Sequence, residues 1–512
     1  MKRINQRIDL IARRILALPA ATRHACLDEI QANIATENWL LLQSCIKTQV
    51  KIIDCMSHPN KIPLSFSQLM FWSMELTSRY SKNEVTSCIL EGRLDIEKVE
   101  RAINHIANQF DIFNYRVKNW LPEAKKTGLQ KIKLNVVRFY TSNSPAQQLE
   151  EINHTLAHID LRKLKQNIYP ILIIMDDNNS LLQLVITHKA IDTKTKLMLW
   201  QIFWRNYQGI KDSHYTPYKN YIYNERSYYS ERYNDLIQHI KKDFDEYSPC
   251  KINPEIIDKD TEIKPRLIYS LNKRLAALLK EFCFKQEFTM DELIISSILQ
   301  AFRPYCSNND YLVQIISQPL FYSNSEQILG PCLNERSFAG RHTATNLIEF
   351  TKEIRNHNRQ SINYANLPYG AALGWLYYRK YGKKAVWLST LLHTITKLLK
   401  YADLNKNITN CYAGLILYEF FANKNKEFPL ISFNFRNTFS ERKYPKEFST
   451  ENLQLRPYFY PLYHNTVNYV SVNIDAATDE GIAIHIESFF KEEIDKEIMQ
   501  AALNHLRSYI EP

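Results

Sequence analysis

Ten glycines in 512 residues constrain this chain more than any other feature of its sequence. Glycine supplies the backbone conformations that let a loop wrap closely around a phosphate. Neither GxGxxG nor GxxxxGK[ST] occurs here, so dinucleotide-fingerprint and P-loop readings are excluded. At roughly 100–200 residues per domain, the length predicts two to four domains, or two large lobes. Hydrophobic residues at 45% and charged residues at 23% fit a globular chain with a large core. No run approaches eighteen apolar residues, so no membrane span is expected. The first thirty residues are basic, but Asp9, Arg13 and Arg14 interrupt their apolar positions. That pattern predicts an amphipathic helix, not a secretory signal.

The nine cysteines are odd in number, scattered, and never spaced CxxC. They read as reduced thiols in a cytoplasmic protein, with no zinc site and no disulfide framework. Net charge is +11, from 65 Lys and Arg against 54 Asp and Glu. Such a field attracts acidic partners. Nucleic acid would require a continuous basic stripe, and the pairs Lys125-Lys126, Lys241-Lys242 and Lys383-Lys384 are dispersed instead.

Residues 1–57 read as a helical N-terminal segment, with Ile8, Ile11, Ile15 and Leu16 at helical spacing. From there an N-terminal α/β lobe over 58–240 is expected. Within it, helices are predicted at Phe66–Glu75 and Ile96–Gln109, the second capped by Asp95, and strands at Val85–Leu90, Ile171–Met175 and Leu181–Thr187. Ile112–Val117 reads as extended, and Lys196–Tyr207 as a helix. Residues 241–266 are charged, carry Pro249, Pro254 and Pro265, and lack periodicity; they are expected to link the lobes. A C-terminal lobe over 267–512 repeats the mixture and closes on a helix near Glu493–Ile510.

The six residues His188-Lys189-Ala190-Ile191-Asp192-Thr193 join an apolar strand to a helix. Loops at strand ends commonly carry chemistry. A histidine there suits a general base that takes a proton from an amine or hydroxyl as it attacks an ester or thioester. Asp192, four residues on, would fix the loop. His154 and His158 sit four apart, but no Glu follows the first and no third ligand is near, so they predict no metal site. The tyrosine-rich stretch Tyr215–Tyr233 is expected to pack one side of a helix, and His485 reads as an ordinary strand residue.

Several segments, in order, resemble the condensation domains of nonribosomal peptide synthetases, within the chloramphenicol acetyltransferase-like superfamily. IPLSFSQLMFW (Ile62–Trp72) resembles the family's opening segment, and Leu90–Val117 the strand and helix leading to its Arg-His…Leu-Arg motif. The hairpin ending in THKAIDT resembles the one ending in HHxxxDG. Phe288–Phe302, LGPCLNER (Leu329–Arg336), LPYG (Leu367–Gly370) and the closing strand and helix follow in register, over roughly 60–512. Tyr218, Asn220 and Tyr221 fall where the family has Y-x-D-Y.

This resemblance implies two acetyltransferase-like α/β lobes in a V, with the reacting centre in the channel between them. It implies acyl or peptidyl transfer from a carrier-protein thioester to an amine or alcohol in secondary-metabolite biosynthesis. His188 matches the catalytic histidine and Asp192 the structural aspartate, while Thr187 replaces the first histidine and Thr193 the glycine. Backbone N–H groups near Thr193 are candidates for stabilising an oxyanion. Gln109, Phe110 and Asn114 stand where the family has Arg, His and Arg. An arginine normally holds the motif aspartate. Arg116 is the expected replacement, because residues two apart share a strand face, and Arg336 is the second choice. No tightly bound cofactor and no metal are implied; phosphopantetheine would arrive on the carrier. No adenylation or carrier segment follows Pro512, so a free-standing enzyme acting in trans is expected. Two alternatives stay open: a coenzyme A-dependent O- or N-acyltransferase using the same histidine, and a non-catalytic carrier-binding module.

Overall fold

The computed structural model describes residues 8, 11–12, 15 and 20–510, apart from 57–59, 77–81, 129–130, 140–144, 211–214, 248–249, 259–262, 266, 318–327, 345, 363–366, 400–405, 426, 429–430, 436–448, 450–452, 459–462, 466–469 and 479–480. Two sheets organise the chain. The first has five strands in the order Leu453–Tyr458, Asn83–Gly92, Asn179–Thr187, Ile168–Ile174, Asn135–Arg138. Its centre is the hairpin predicted from sequence. The hairpin turns on Asp176, whose Oδ1 accepts from the Asn178 N–H at 2.8 Å, the local bonding that makes Asp a turn residue.

The second sheet has seven strands: Leu267–Asn272, Gly481–Glu487, Val470–Thr478, Ile431–Phe435, Asp310–Ser317, Asn334–Arg341 and Leu367–Pro368. The helices Lys273–Lys285, Met290–Phe302, Leu347–Ser361 and Glu492–Ile510 share one core with it. Thr289 and Glu292 form a capping box that starts the second of these.

Sequence order and packing diverge in one respect. The strand Leu453–Tyr458 pairs antiparallel with Asn83–Gly92, so a late segment completes the early sheet. The helices Ala371–Tyr381 and Lys406–Asn425 likewise bury Trp375, Tyr377, Cys411 and Leu415 in the core built on the Phe66–Glu75 helix. Gly374 and Gly414 let these two helices touch: a Cβ on Gly414 would lie 1.9 Å from the Gly374 carbonyl oxygen. The described residues of 241–266 include regular secondary structure. They contain the end of the helix Tyr218–Phe244, the strand Cys250–Lys251 paired with Glu427–Phe428, and the strand Ile263–Pro265.

Two local expectations need correction. Residues 112–117 are not all extended, because Asp111–Asn114 forms a helical turn before the strand Tyr115–Val117. Asn114 holds that turn, donating to the Phe110 carbonyl at 3.3 Å and the Asn108 carbonyl at 3.1 Å. The helix after His188 begins at Thr193, three residues earlier than its apolar periodicity indicates. At the N-terminus, the helices Ala20–Asn33 and Thr36–Met56 pack around Ile8, Ala12, Ile15, Leu42 and Cys45.

Candidate active site

His188 leaves the end of the central strand in a tight turn. Its N–H donates to the Lys82 carbonyl at 2.8 Å, and the Ala190 N–H donates to the Thr187 carbonyl at 2.8 Å. The imidazole stacks on Phe71, with centroids 3.8 Å apart. Nδ1 lies 2.9 Å from the Ile191 carbonyl oxygen. A carbonyl only accepts, so Nδ1 is the donor and Nε2 is the nitrogen that faces outward. Nε2 lies 3.2 Å from Glu84 Oε1, a contact that also needs a proton between the two atoms because a carboxylate only accepts, and the Lys196 ammonium pairs with the other Glu84 oxygen. The His188 side chain keeps 23% of its surface exposed.

The loop is stapled on both sides. Gln68 Nε2 donates to the Lys189 carbonyl at 2.9 Å, and the Lys189 ammonium pairs with Glu75. Both partners sit on the Phe66–Glu75 helix, which also supplies Phe71. That helix is fixed by a Ser65–Gln68 capping box and by Glu225, whose Oε2 accepts from the Phe66 N–H at 2.8 Å. Burial pushes the Glu225 carboxyl up to about 7, even though Arg226 is beside it.

Asp192 is buried and caps the helix Thr193–Tyr207. Its Oδ1 accepts from the Thr195 N–H at 2.8 Å and from the Thr195 hydroxyl. Its Oδ2 accepts from the Cys332 N–H at 2.9 Å. No cation lies within ion-pair distance of it among the described residues. The two arginines expected there are elsewhere. Arg116 donates to the Arg162 carbonyl at 3.0 Å, from a strand of the small sheet with Lys61–Pro63 and Glu123–Lys126. Arg336 is drawn to Asp291 and Glu292. Neutral backbone donors replace the salt bridge, which removes the need to bury a second charge.

Cys332 belongs to a loop that crosses onto the first sheet's helices. The Gly330 N–H donates to the Thr195 hydroxyl oxygen at 3.4 Å, the Pro331 carbonyl accepts from the Tyr218 hydroxyl at 2.7 Å, and the Leu333 carbonyl from the Ser67 hydroxyl at 3.0 Å. Gly330 has φ +147°, and a Cβ there would lie 2.3 Å from the Tyr218 ring. Tyr369 tilts against Phe71 at 5.9 Å, so the stack His188–Phe71–Tyr369 runs from one half of the chain to the other. Beside it, Glu335 is buried under the start of the helix Ala371–Tyr381. It accepts from the Gly370 and Ala372 N–H groups at 2.8 Å, and burial raises its carboxyl to about 7.

Thr187 is buried, and its hydroxyl has no hydrogen-bond partner among the described residues. Thr193 opens the capped helix. His154 and His158 are exposed at the end of the helix Pro145–Ala157, with His158 Nδ1 2.8 Å from the His154 carbonyl oxygen. Among the described residues no group of three potential ligands could hold a metal ion. In the tyrosine-rich stretch, Tyr218, Tyr221 and Tyr229 are core residues. His485 is more than an ordinary strand residue: it is buried, with Nε2 3.0 Å from Asp475 Oδ2. Sequence reading missed Glu84, Lys196, Phe71 and the Cys332 N–H. Thr195 had a local signal, since it stands at the third helical position after an Asp cap. The others meet His188 and Asp192 only through sheet pairing and tertiary packing.

No helix among the described residues is long and apolar enough to cross a membrane. The fold and this loop define the two-lobed chloramphenicol acetyltransferase-like α/β class. A sequence profile of the condensation domain matches residues 59–384, and the chain belongs to that family. Solved structures share the architecture. The X-domain from teicoplanin biosynthesis is 12% identical with a TM-score of 0.64, covering 89% of this chain and 96% of that one. The SgcC5 protein from Streptomyces globisporus is 12% identical with a TM-score of 0.63, covering 88% and 98%. The epimerization domain from the third module of tyrocidine synthetase B is 12% identical with a TM-score of 0.59, covering 88% and 98%. At these identities the likeness is one of fold. No curated protein matches the chain in sequence.

Proposed function

We propose that this chain transfers an acyl or peptidyl group from a carrier-protein thioester to an amine, with an alcohol as the ester-forming variant. The observation that supports this reading is the anchoring of His188 Nδ1 on the Ile191 carbonyl in a loop fixed at both ends, which leaves Nε2, beside Glu84, as the nitrogen available for proton transfer. In the reaction the acceptor nitrogen attacks the thioester carbonyl while Nε2 takes its proton. The carbon–sulfur bond then breaks, and the thiol leaves with that proton, giving an amide and a free carrier thiol. Before this step Glu84 releases Nε2 and the proton held between them goes to solvent, so that Nε2 meets the acceptor as a base while Glu84 keeps Lys196 as its partner. Backbone N–H groups near Thr193 are the candidates for stabilising the developing oxyanion. No tightly bound cofactor is needed on this reading, because the phosphopantetheine arm comes with the carrier.

A second reading has its own support. Glu84 already engages Nε2, and threonine replaces two family motif residues, as expected of a carrier-binding module that does no chemistry. Incubating the chain with an acyl-carrier thioester, or with acyl-coenzyme A, and a panel of amines separates these readings. Amide formed from the carrier thioester supports the first. Product from coenzyme A alone would make this a coenzyme A-dependent acyltransferase, and carrier binding with no product would favour the module.

A further inference from the structure

A second concave site lies on the first lobe, away from the His188 loop's own residues. It is a cavity of about 870 Å³ between the strands Tyr115–Val117 and Glu123–Lys126 and the turn at Leu164–Gln166. That volume falls within the range of small-molecule sites, roughly 300–1,000 Å³. Its lining is one-sided in charge. Arg116, Lys118, Lys125, Lys126, Lys131 and Lys165 contribute to it, and no Asp or Glu does. Lys118 is neutralised by the buried Glu123. The other five have no carboxylate partner among the described residues. Like charges gathered without counter-charges repel one another, and a bound anion relieves that repulsion. Lys165 adopts a left-handed backbone conformation, φ 57°, at the end of its short helix, a conformation uncommon for residues other than glycine.

The cavity also has a flat apolar element. Trp120 is 79% exposed and lines it together with Val117, Leu121 and the exposed Leu164. An indole left in water beside a cluster of cations presents a stacking face next to phosphate-sized positive charge. We propose that this cavity binds a nucleoside polyphosphate, its phosphates on Lys125, Lys126, Lys131, Lys165 and Arg116 and its base on Trp120. Recognition would run through side chains, which is compatible with a sequence that lacks glycine-rich phosphate loops. The wall is tied to the candidate active site: Trp72, next to Phe71, donates to the Lys118 and Asn119 carbonyls at 3.1 and 3.2 Å. Arg116 reaches the Arg162 carbonyl, and Arg162 donates to the Glu75 carbonyl at 3.1 Å. The proposal does not depend on acyl transfer at His188.

Calorimetric titration of the full chain tests it, with ATP, inorganic tripolyphosphate, adenosine and a poly-glutamate peptide as separate probes at low salt. ATP should bind with a dissociation constant below about 1 mM, weakening as salt is added. The K125E/K126E variant, at exposed positions, should weaken it at least about ten-fold. Trp120→Ala should bring ATP down to the affinity of tripolyphosphate. Thermal melts of both variants check that they fold, and either one alone suffices for the comparison. Absence of ATP binding, equal binding of ATP and tripolyphosphate by the unaltered chain, or affinity untouched by K125E/K126E would overturn the assignment. So would binding of the poly-glutamate peptide alone, which would make this face a surface for acidic polypeptides.

Discussion

Asp192→Asn removes one charge and adds no bulk, yet it strikes the point where the His188 loop meets the second half of the chain. The carboxylate serves three donors from two elements, the N–H and hydroxyl of Thr195 in its own helix and the Cys332 N–H in the crossing loop. An amide has one acceptor oxygen. If it stays on Thr195, the new NH2 points at the Cys332 N–H, and two buried donors oppose each other. If it turns over, the Thr195 cap is lost instead. Leaving a buried donor unsatisfied costs roughly 1–3 kcal/mol, so two opposed donors cost about 2–6 kcal/mol. Asp192→Ala also loses the cap, about 1 kcal/mol more, and should be the worse variant. Urea unfolding of the two variants measures both losses, with the exposed turn substitution Asp177→Asn as a control within about 0.5 kcal/mol of wild type. An Asp192→Asn chain as stable as the control would refute the claim that neutral donors have replaced the family's arginine.

Gly330→Ala should cost roughly 2–5 kcal/mol from backbone strain and overpacking, because its Cβ falls on the Tyr218 ring; a melting temperature equal to wild type contradicts this. Glu84→Ala should speed modification of His188 by diethylpyrocarbonate, read by mass spectrometry, because Glu84 shields Nε2 while Nδ1 stays on Ile191. An unchanged rate would mean Glu84 does not occupy that nitrogen. Burial holds Glu225 and Glu335 up to about 7, against an ordinary 4.5, so the folded chain binds more protons than the unfolded chain between those values. Their stabilisation is complete below about pH 4.5 and is lost as pH rises through 7, by up to about 3 kcal/mol each. The stability difference between wild type and Glu225→Gln should therefore move against wild type from pH 5 to pH 8, and a difference independent of pH would count against the burial argument.

The central hairpin and the loop from His188 to Asp192 were legible in the sequence, because strand runs, turn residues and helix caps are local signals, while the two-lobed α/β class was legible through the ordered resemblance to condensation domains. The partners of that loop were not. Glu84 reaches His188 because Asn83–Gly92 pairs with Asn179–Thr187, in the register Glu84 opposite Ile186. Periodicity detects a strand but says nothing of which strand it joins. For the same reason Leu453–Tyr458 could not be assigned to the early sheet. Arg116 failed as the partner of Asp192 because the choice assumed that a carboxylate lacking its family arginine needs another cation. Two backbone N–H groups and a hydroxyl, which leave no trace in residue type, meet it instead.

The most direct test of the catalytic reading is single-turnover transfer from an acyl-carrier thioester to an amine by His188→Ala, with carrier affinity measured alongside. Loss of a positioned general base predicts a rate lower by about 100- to 10,000-fold, with carrier affinity kept within about two-fold. A substituted chain that forms amide at the wild-type rate would contradict the account at its centre.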